Sequence, residues 1–179
     1  MTKSNRKELI KRYREGPAVL ANAVGNLSDS QLDHRPSDGG FSAREVVHHT
    51  ADSEMTSAIR LRRLVAEDRP QITGYDPDLF AARLHYAKRP VQPSLDAIKA
   101  ARESTASILE TLSDQEWERA GVHNEMGAYS IDTWLEVYAA PATTTRTRRA
   151  GLRWTAASTR FLARVTGAAW PRRSGKPRK

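Results

Sequence analysis

The sequence predicts an all-α protein built as a four-helix bundle. Apolar residues recur at helical spacing in several long segments, while no segment of any length alternates apolar and polar residues as a half-buried strand does. The chain also contains no internal repeat. Three long helices and the start of a fourth can be placed, which indicates a bundle.

The first predicted helix runs from about Ser4 to Val24. Gly16-Pro17 should kink or restart it, because proline lacks the N–H that continues the helical ladder. The following segment, Asn26 to Gly40, is rich in Ser, Asp, Gly and Pro and is predicted to be a loop with at most one helical turn at residues 27–32.

The second helix has the clearest start in the chain. Ser42 and Glu45 form a capping box, in which hydroxyl and carboxylate each satisfy a free backbone N–H at the helix end. The helix should run to about Glu67 and end at Asp68-Arg69-Pro70, and a short helical piece is predicted at residues 76–84.

A third long helix is predicted from about Leu95 to Leu112, followed by a short turn at residues 113–116 and a loop at residues 119–129. Ser130 then caps a fourth helix, in which Asp132 complements the helix dipole. The apolar positions of that helix are Ile131, Trp134, Leu135 and Tyr138.

The charge is divided unevenly along the chain, and this division predicts two parts. Residues 1–140 hold 18 Lys and Arg with all 21 Asp and Glu, whereas residues 141–179 hold 11 Lys and Arg and no acid. We therefore predict a helical bundle at 1–140 and a basic, acid-free tail at 141–179, partly helical or disordered. The formal net charge of +8 can indicate a nucleic acid or anionic surface only as a partner of the tail.

The absence of cysteine excludes a thiol nucleophile, disulfides and thiolate metal sites. No stretch approaches the ~18 apolar residues of a membrane span, and residues 1–16 have no apolar core of a signal peptide. We expect a cytoplasmic protein.

Two adjacent histidines, His48 and His49, are the sharpest local feature of the second helix. His48 falls on the flank of the apolar face, and His49 shares a polar stripe with Ser53, Thr56 and Arg60. Neighbours on a helix point about 100° apart, so at most one of them could readily ligate a given ion. Taken alone, such a pair is more often a surface or hydrogen-bonded boundary pair than a metal site.

The remaining histidines suggest no ligand set by themselves. His34 and His123 fall in predicted loops and His85 at the end of the short connecting helix, where structural or exposed roles are the usual ones. His123 is a secondary candidate for a site-facing role. The sequence contains no HExxH, glycine-rich phosphate loop or GxSxG motif, so the residues alone leave the chemistry open.

A longer pattern resembles a known family. Residues 39–53 (GGFSAREVVHHTADS), followed by Ile59-Arg60, Tyr75-Asp76 and residues 112–116 (LSDQE), resemble the YfiT-like branch of the DinB-like superfamily in consistent order. Proteins of this branch are named metal-dependent hydrolases or bacillithiol-type thiol S-transferases. The resemblance implies a DinB-like four-helix bundle, a homodimer, a small-molecule or thiol substrate, and one divalent ion, zinc or nickel, held by three histidines.

The resemblance assigns one metal ligand to this chain. The family's first ligand maps to His49, and the other two form His-x-x-x-His on the fourth helix, where this sequence has Pro141 and Thr145. Proline cannot ligate and threonine is a poor substitute, so the fourth helix is altered after residue 140.

A change of reading frame would explain the alteration. Residues 143–147 (TTTRT) are rich in ACN codons, and sliding the frame by one base turns each into NAC, which encodes His, Asp, Asn or Tyr. The 39-residue tail also contains 9 Arg, 7 Ala and 7 Thr, a bias expected of GC-rich DNA read out of frame.

Two other functions compete with a metal-dependent enzyme. In the tail, Arg149, Arg153, Arg160 and Arg164 cluster on one side of a helical wheel, opposite Trp154, Phe161 and Val165. Such a basic amphipathic helix could bind nucleic acid or an anionic surface, although chance alignment is the simpler explanation with so many arginines. The bundle could also be a dimeric scaffold without a ligand.

Overall fold

The computed structural model describes residues 1–37 and 39–139. The tail, with Pro141, Thr145 and the predicted basic helix, lies outside these residues. The helices are α1 (Lys3–Val24), α2 (Asp29–Asp33), α3 (Ala43–Ala66), α4 (Pro77–Arg83), α5 (Gln92–Thr111), α6 (Asp114–Trp117) and α7 (Ile131–Ala139). The strands are β1 (Gln71–Ile72), β2 (Ala120–His123) and β3 (Gly127–Ser130), and a 3₁₀ turn covers Tyr86–Lys88.

The predicted four-helix bundle is confirmed. Helix α5 packs against α1 and α3, and α7 packs against α1 and α3. The core is centred on Trp134, whose ring meets the Tyr13 ring edge-on and whose indole N–H donates to the Ser57 carbonyl at 2.9 Å. Among the described residues, no helix is long and apolar enough to cross a membrane.

The helix does not restart at Pro17, as one of the two expected outcomes had it, since α1 continues through this residue. Proline leaves the carbonyl four residues earlier without its usual N–H donor. Here that carbonyl belongs to Tyr13, and it accepts a hydrogen bond from Arg102 of α5 at 2.8 Å. A Cβ at Gly16 would overlap the Arg102 guanidinium, so glycine leaves the room that this donor needs.

The prediction of a loop without strands at residues 119–129 was also wrong. Strand β2 pairs antiparallel with β3 and parallel with β1, giving a small three-stranded sheet in the order β1-β2-β3. The strands are two to four residues long, too short to display an alternating pattern. Gly121 lets β2 approach β1 closely, because a Cβ there would overlap the Pro70 carbonyl oxygen.

The start of α3 is fixed as the sequence predicts. Ser42 Oγ accepts from the Glu45 N–H at 3.3 Å, and the Glu45 carboxylate accepts from the Ser42 N–H at 2.9 Å. Arg44 adds ion pairs to Asp29 and Asp33 of α2 at 2.8 and 2.5 Å. These contacts hold the first turns of α3, and with them both histidines, against the preceding segment.

Candidate functional site around His49

His48 is a structural residue. It is completely buried, with Nδ1 2.8 Å from Ser94 Oγ and Nε2 3.1 Å from the Arg89 carbonyl oxygen. The carbonyl can only accept, so Nε2 carries the proton and Nδ1 accepts from the Ser94 hydroxyl. Burial lowers the pKa of His48, which keeps the ring neutral. His48 is therefore the hydrogen-bonded member of the pair, but it lies in the interior and not at the boundary that was expected.

His49 has the opposite environment. It is 2% exposed, and neither of its ring nitrogens has a hydrogen-bond partner among the residues that the structure describes. Its ring lies 5.6 Å from that of Phe41 and 6.4 Å from that of Tyr75, measured between centroids. Burial lowers its pKa to about 4, against smaller opposing effects of Asp52 and Asp78. The imidazole is thus neutral at physiological pH, the form that binds a metal or accepts a proton.

Aromatic side chains cover the His49 side of α3. Tyr86 is fully buried, lies 5.7 Å from the His48 ring and 6.5 Å from the Phe41 ring, and donates its hydroxyl proton to Asp52. Asp52, one turn after His49, is therefore occupied by a structural hydrogen bond. Asp52 was not identified from the sequence as a neighbour of His49, although the three-residue spacing on a helix places the two on one side.

The other histidines do not join His49 in a ligand set. His34 and His85 are exposed, outside the helices. His123, predicted in a loop, ends strand β2 and is 3% exposed, with its ring 5.3 Å from that of Tyr129. Its Nδ1 accepts from the Glu125 N–H at 3.1 Å. Burial lowers the pKa of His123, and the nearby Arg60 lowers it further.

The donor set does not fit a tightly held transition metal. His49 suits one ligand position, because its imidazole is neutral, buried and without a partner. However, the part of the chain that the structure describes contains no group of three His, Cys, Asp or Glu able to hold an ion. Residues 140–179 contain none of these four residue types. Protein zinc sites use three or four such ligands.

Farther along the polar stripe of α3, Arg60 is 8% exposed. Its Nη1 donates to the Tyr138 hydroxyl at 3.1 Å and its Nη2 to the Thr73 carbonyl at 2.6 Å. Within the described part of the chain, its buried Nε and the buried Tyr75 hydroxyl have no hydrogen-bond partner. Burial raises the pKa of Tyr75, and the nearby Ser53 side chain lowers it by a smaller amount.

Glu54 lies on the buried, apolar side of α3, where its charge is balanced. Its carboxylate accepts from Arg102 at 2.7 Å and from the Tyr13 hydroxyl at 3.0 Å. Arg102 also donates to the Tyr138 carbonyl near the end of α7 at 3.3 Å. This network joins α1, α3, α5 and α7. Because it uses the Glu54 carboxylate as an acceptor inside the protein, Glu54 is not a candidate ligand.

A shallow groove of about 350 Å³ lies elsewhere, between α1 and α5. It is lined by Lys7, Ile10, Lys11, Arg14, Glu15 and Glu110. None of its residues belongs to the surroundings of His49, and its charged side chains include the exposed ion pair of Arg14 with Glu110. The buried polar atoms therefore define the candidate site better than the surface shape does.

Comparison with known proteins gives a consistent result. Residues 12–157 match the DinB superfamily. A protein of Oceanobacillus iheyensis named "Putative metal-dependent hydrolase" is 36% identical over 132 residues, covering 74% of this chain and 76% of the relative. The YfiT protein of Bacillus subtilis, which carries the same name, is 34% identical over 123 residues, 69% of each chain.

The fold comparison leads to the same relative. The solved structure of B. subtilis YfiT, described as a probable metal-dependent hydrolase with an unusual four-helix bundle topology, superposes with a TM-score of 0.76. The match covers 93% of this chain and 87% of that structure at 28% identity.

Proposed function

Since this chain belongs to the DinB superfamily, we propose that it is a metal-dependent hydrolase or thiol S-transferase whose metal site is reduced to His49, so that zinc or nickel is held only weakly. The observation that supports His49 is its buried, neutral imidazole with both nitrogens unpartnered. A buried polar atom without a partner costs about 1–3 kcal/mol, which is tolerated where function requires it.

The residues around His49 perform the tasks that such a site requires of its protein. Phe41 and Tyr75 pack their rings beside that of His49, and Tyr86 packs behind Phe41. The His49 side chain is thereby held away from water, with 2% of the residue exposed. His48 and the capping box fix the first turns of α3 and so orient His49. In a protein with the complete ligand set, the ion would act as a Lewis acid or lower the pKa of a bound water or thiol.

We further propose that a change of reading frame near residue 140 caused the reduction. The carboxylate-free, arginine-rich composition of residues 141–179 supports this origin. Reading the gene tests it: an alternative frame after codon 140 should encode a helix with His-x-x-x-His. If neither alternative frame encodes such a helix, the frame change is excluded.

Metal analysis of the purified full chain tests the reduced site. After incubation with zinc or nickel and gel filtration, we expect well under about 0.2 ions per chain, because one imidazole does not make a tight site. The double variant Pro141→His/Thr145→His should retain close to one ion, and adding His49→Ala should abolish this gain. His85→Ala is the matched control at an exposed histidine.

Two results would contradict the proposal. Stoichiometric metal in the unaltered chain would show that its ligand set is complete after all. Metal retained by the double variant after His49→Ala would show that His49 is not a ligand. The proposal also includes a homodimer in the cytoplasm, and light scattering after gel filtration measures the oligomeric state.

A further inference from the structure

Arg60 is a buried cation with no carboxylate partner among the described residues. Three other arginines, Arg6, Arg44 and Arg102, have side chains only 11–15% exposed, and each pairs with an Asp or Glu. Arg60 donates only to a hydroxyl and a carbonyl. Buried charges are normally paired, and Asp38 is the one acidic residue outside the described part of the chain, since residues 140–179 contain no Asp or Glu. An anion from outside the chain would complete the environment of Arg60.

The unpartnered polar atoms are concentrated in the same region. Among the described residues, five buried side-chain nitrogen or oxygen atoms lack a partner, and four of them belong to His49, Arg60 and Tyr75. The positive charge of Arg60 lowers the pKa of the Tyr75 and Tyr138 hydroxyls. Burial raises the pKa of both hydroxyls and is the larger effect. Three of the four atoms are donors: the Arg60 Nε–H, the Tyr75 hydroxyl and whichever His49 nitrogen carries the proton.

The spacing of these residues sets the shape of a ligand. His49 and Arg60 are eleven residues apart, about three turns, so they lie on one side of α3 with Cα atoms roughly 16 Å apart along its axis. Tyr75 lies between them, with its ring 6.4 Å from that of His49. A ligand contacting both ends would be elongated and would run along an aromatic surface.

We propose that Arg60 Nε–H and the Tyr75 hydroxyl bind the carboxylate of an elongated small molecule whose other end reaches His49. The guanidinium donates a charge-assisted hydrogen bond, and the phenol hydroxyl donates a neutral one. Together they supply one donor for each oxygen of a carboxylate. This binding site lies at the far end of the polar stripe from His49 and does not require a metal ion. It therefore deepens the proposed function by giving a substrate class, yet is tested separately from it.

Binding of hexanoate to the full chain, measured by NMR in the presence of a chelator, tests the proposal. Hexanoate carries a carboxylate and an apolar chain, and its neutral match is hexanamide. We expect saturable shifts of the Arg60 Nε–H resonance with a Kd on the order of 1 mM. Hexanamide should bind at least about tenfold more weakly, since it lacks the charge.

Three variants separate this site from general effects. Arg60→Gln should weaken hexanoate binding at least about tenfold and Tyr75→Phe about threefold to tenfold. Arg62→Gln is the matched control, because Arg62 lies on the same helix but donates to Ala58 and Ser104 instead. Its affinity should equal that of the unaltered chain. Tyr75→Phe removes a single oxygen and keeps the test valid if Arg60→Gln fails to fold.

The proposal is overturned if the unaltered chain shows no saturable hexanoate binding, or if hexanamide binds equally well. It is also overturned if Tyr75→Phe leaves the affinity unchanged, or if Arg62→Gln weakens binding as much as Arg60→Gln. None of these outcomes depends on metal content. A chain that binds hexanoate but retains metal stoichiometrically would contradict only the reduced metal site.

Discussion

Replacing Arg102 with methionine should destabilise the bundle more than any other single change at its arginines. Arg102 donates to the Tyr13 carbonyl left open by Pro17, to the Glu54 carboxylate and to the Tyr138 carbonyl. Methionine keeps much of the apolar stem of Arg102 but removes every donor. The variant therefore tests the electrostatic network and not the packing volume.

The magnitude follows from the burial of the partner. The Glu54 side chain is 4% exposed and that of Arg102 13%. Removing one member of a buried ion pair costs about 3–5 kcal/mol, because the other charge stays buried. The Tyr13 hydroxyl still donates to Glu54 at 3.0 Å and offsets part of this loss. We therefore expect Arg102→Met to lower the free energy of unfolding by about 3 kcal/mol.

Urea unfolding followed by far-ultraviolet circular dichroism measures this loss. The double variant Glu54→Leu/Arg102→Met should be more stable than Arg102→Met alone, since no unpaired charge remains. In a Pro17→Ala background, the new N–H can serve the Tyr13 carbonyl, so Arg102→Met should cost about 1 kcal/mol less than in the native background. Arg62→Met is the control, with an expected loss within about 1 kcal/mol.

Two results would refute this reasoning. A loss below about 1 kcal/mol for Arg102→Met would show that the buried pair contributes little. An equal loss with Pro17 and with alanine would show that Arg102 does not compensate for the missing backbone donor.

Three further predictions concern the cap of α3, the sheet and the pH dependence of stability. Ser42→Ala removes the capping hydroxyl and should lower the free energy of unfolding by about 1 kcal/mol in urea; an unchanged midpoint would contradict the role of the cap. Gly121→Ala should cost about 1–3 kcal/mol by forcing β2 away from Pro70, with a loss of slow-exchanging amides in the sheet as the measurement. Because burial lowers the pKa of His49 from 6.5 to about 4, the unfolded chain binds more protons than the native one in that range. Stability should fall by up to about 3 kcal/mol as the pH drops from 6.5 to 4, and His49→Phe should flatten this part of the curve; the same slope in both proteins would contradict it.

Much of the fold follows from local signals. The capping box of α3, the Ser130 start of α7 and the four-helix bundle are confirmed, because caps and helical periodicity depend on residues close in the chain. The third predicted helix, α5, starts three residues earlier than expected, because Pro93 is accepted in the first turn, and ends one residue earlier. The small sheet was missed because each of its strands is too short to carry a period, and its pairing joins distant residues.

The site was predictable in part. A helical wheel of the second helix separates His48 from His49 and places Arg60 in the polar stripe of His49. It cannot show which imidazole nitrogens have hydrogen-bond partners. That depends on Ser94 and the Arg89 carbonyl for His48, and on the rings of Phe41 and Tyr75 for His49. The assignment of His49 as a ligand comes from the family resemblance and stays a prediction.

By itself, the sequence determined the helices, the family and the lack of any His, Cys, Asp or Glu after residue 140, since these depend on residue identity and short spacings. Only the tertiary structure decided that α1 passes through Pro17 and that His48 is hydrogen-bonded. The same holds for the lack, among the described residues, of a partner for His49 and of a carboxylate for Arg60. Each of these depends on a donor or acceptor brought from a distant segment, and the chain order does not specify which groups meet there.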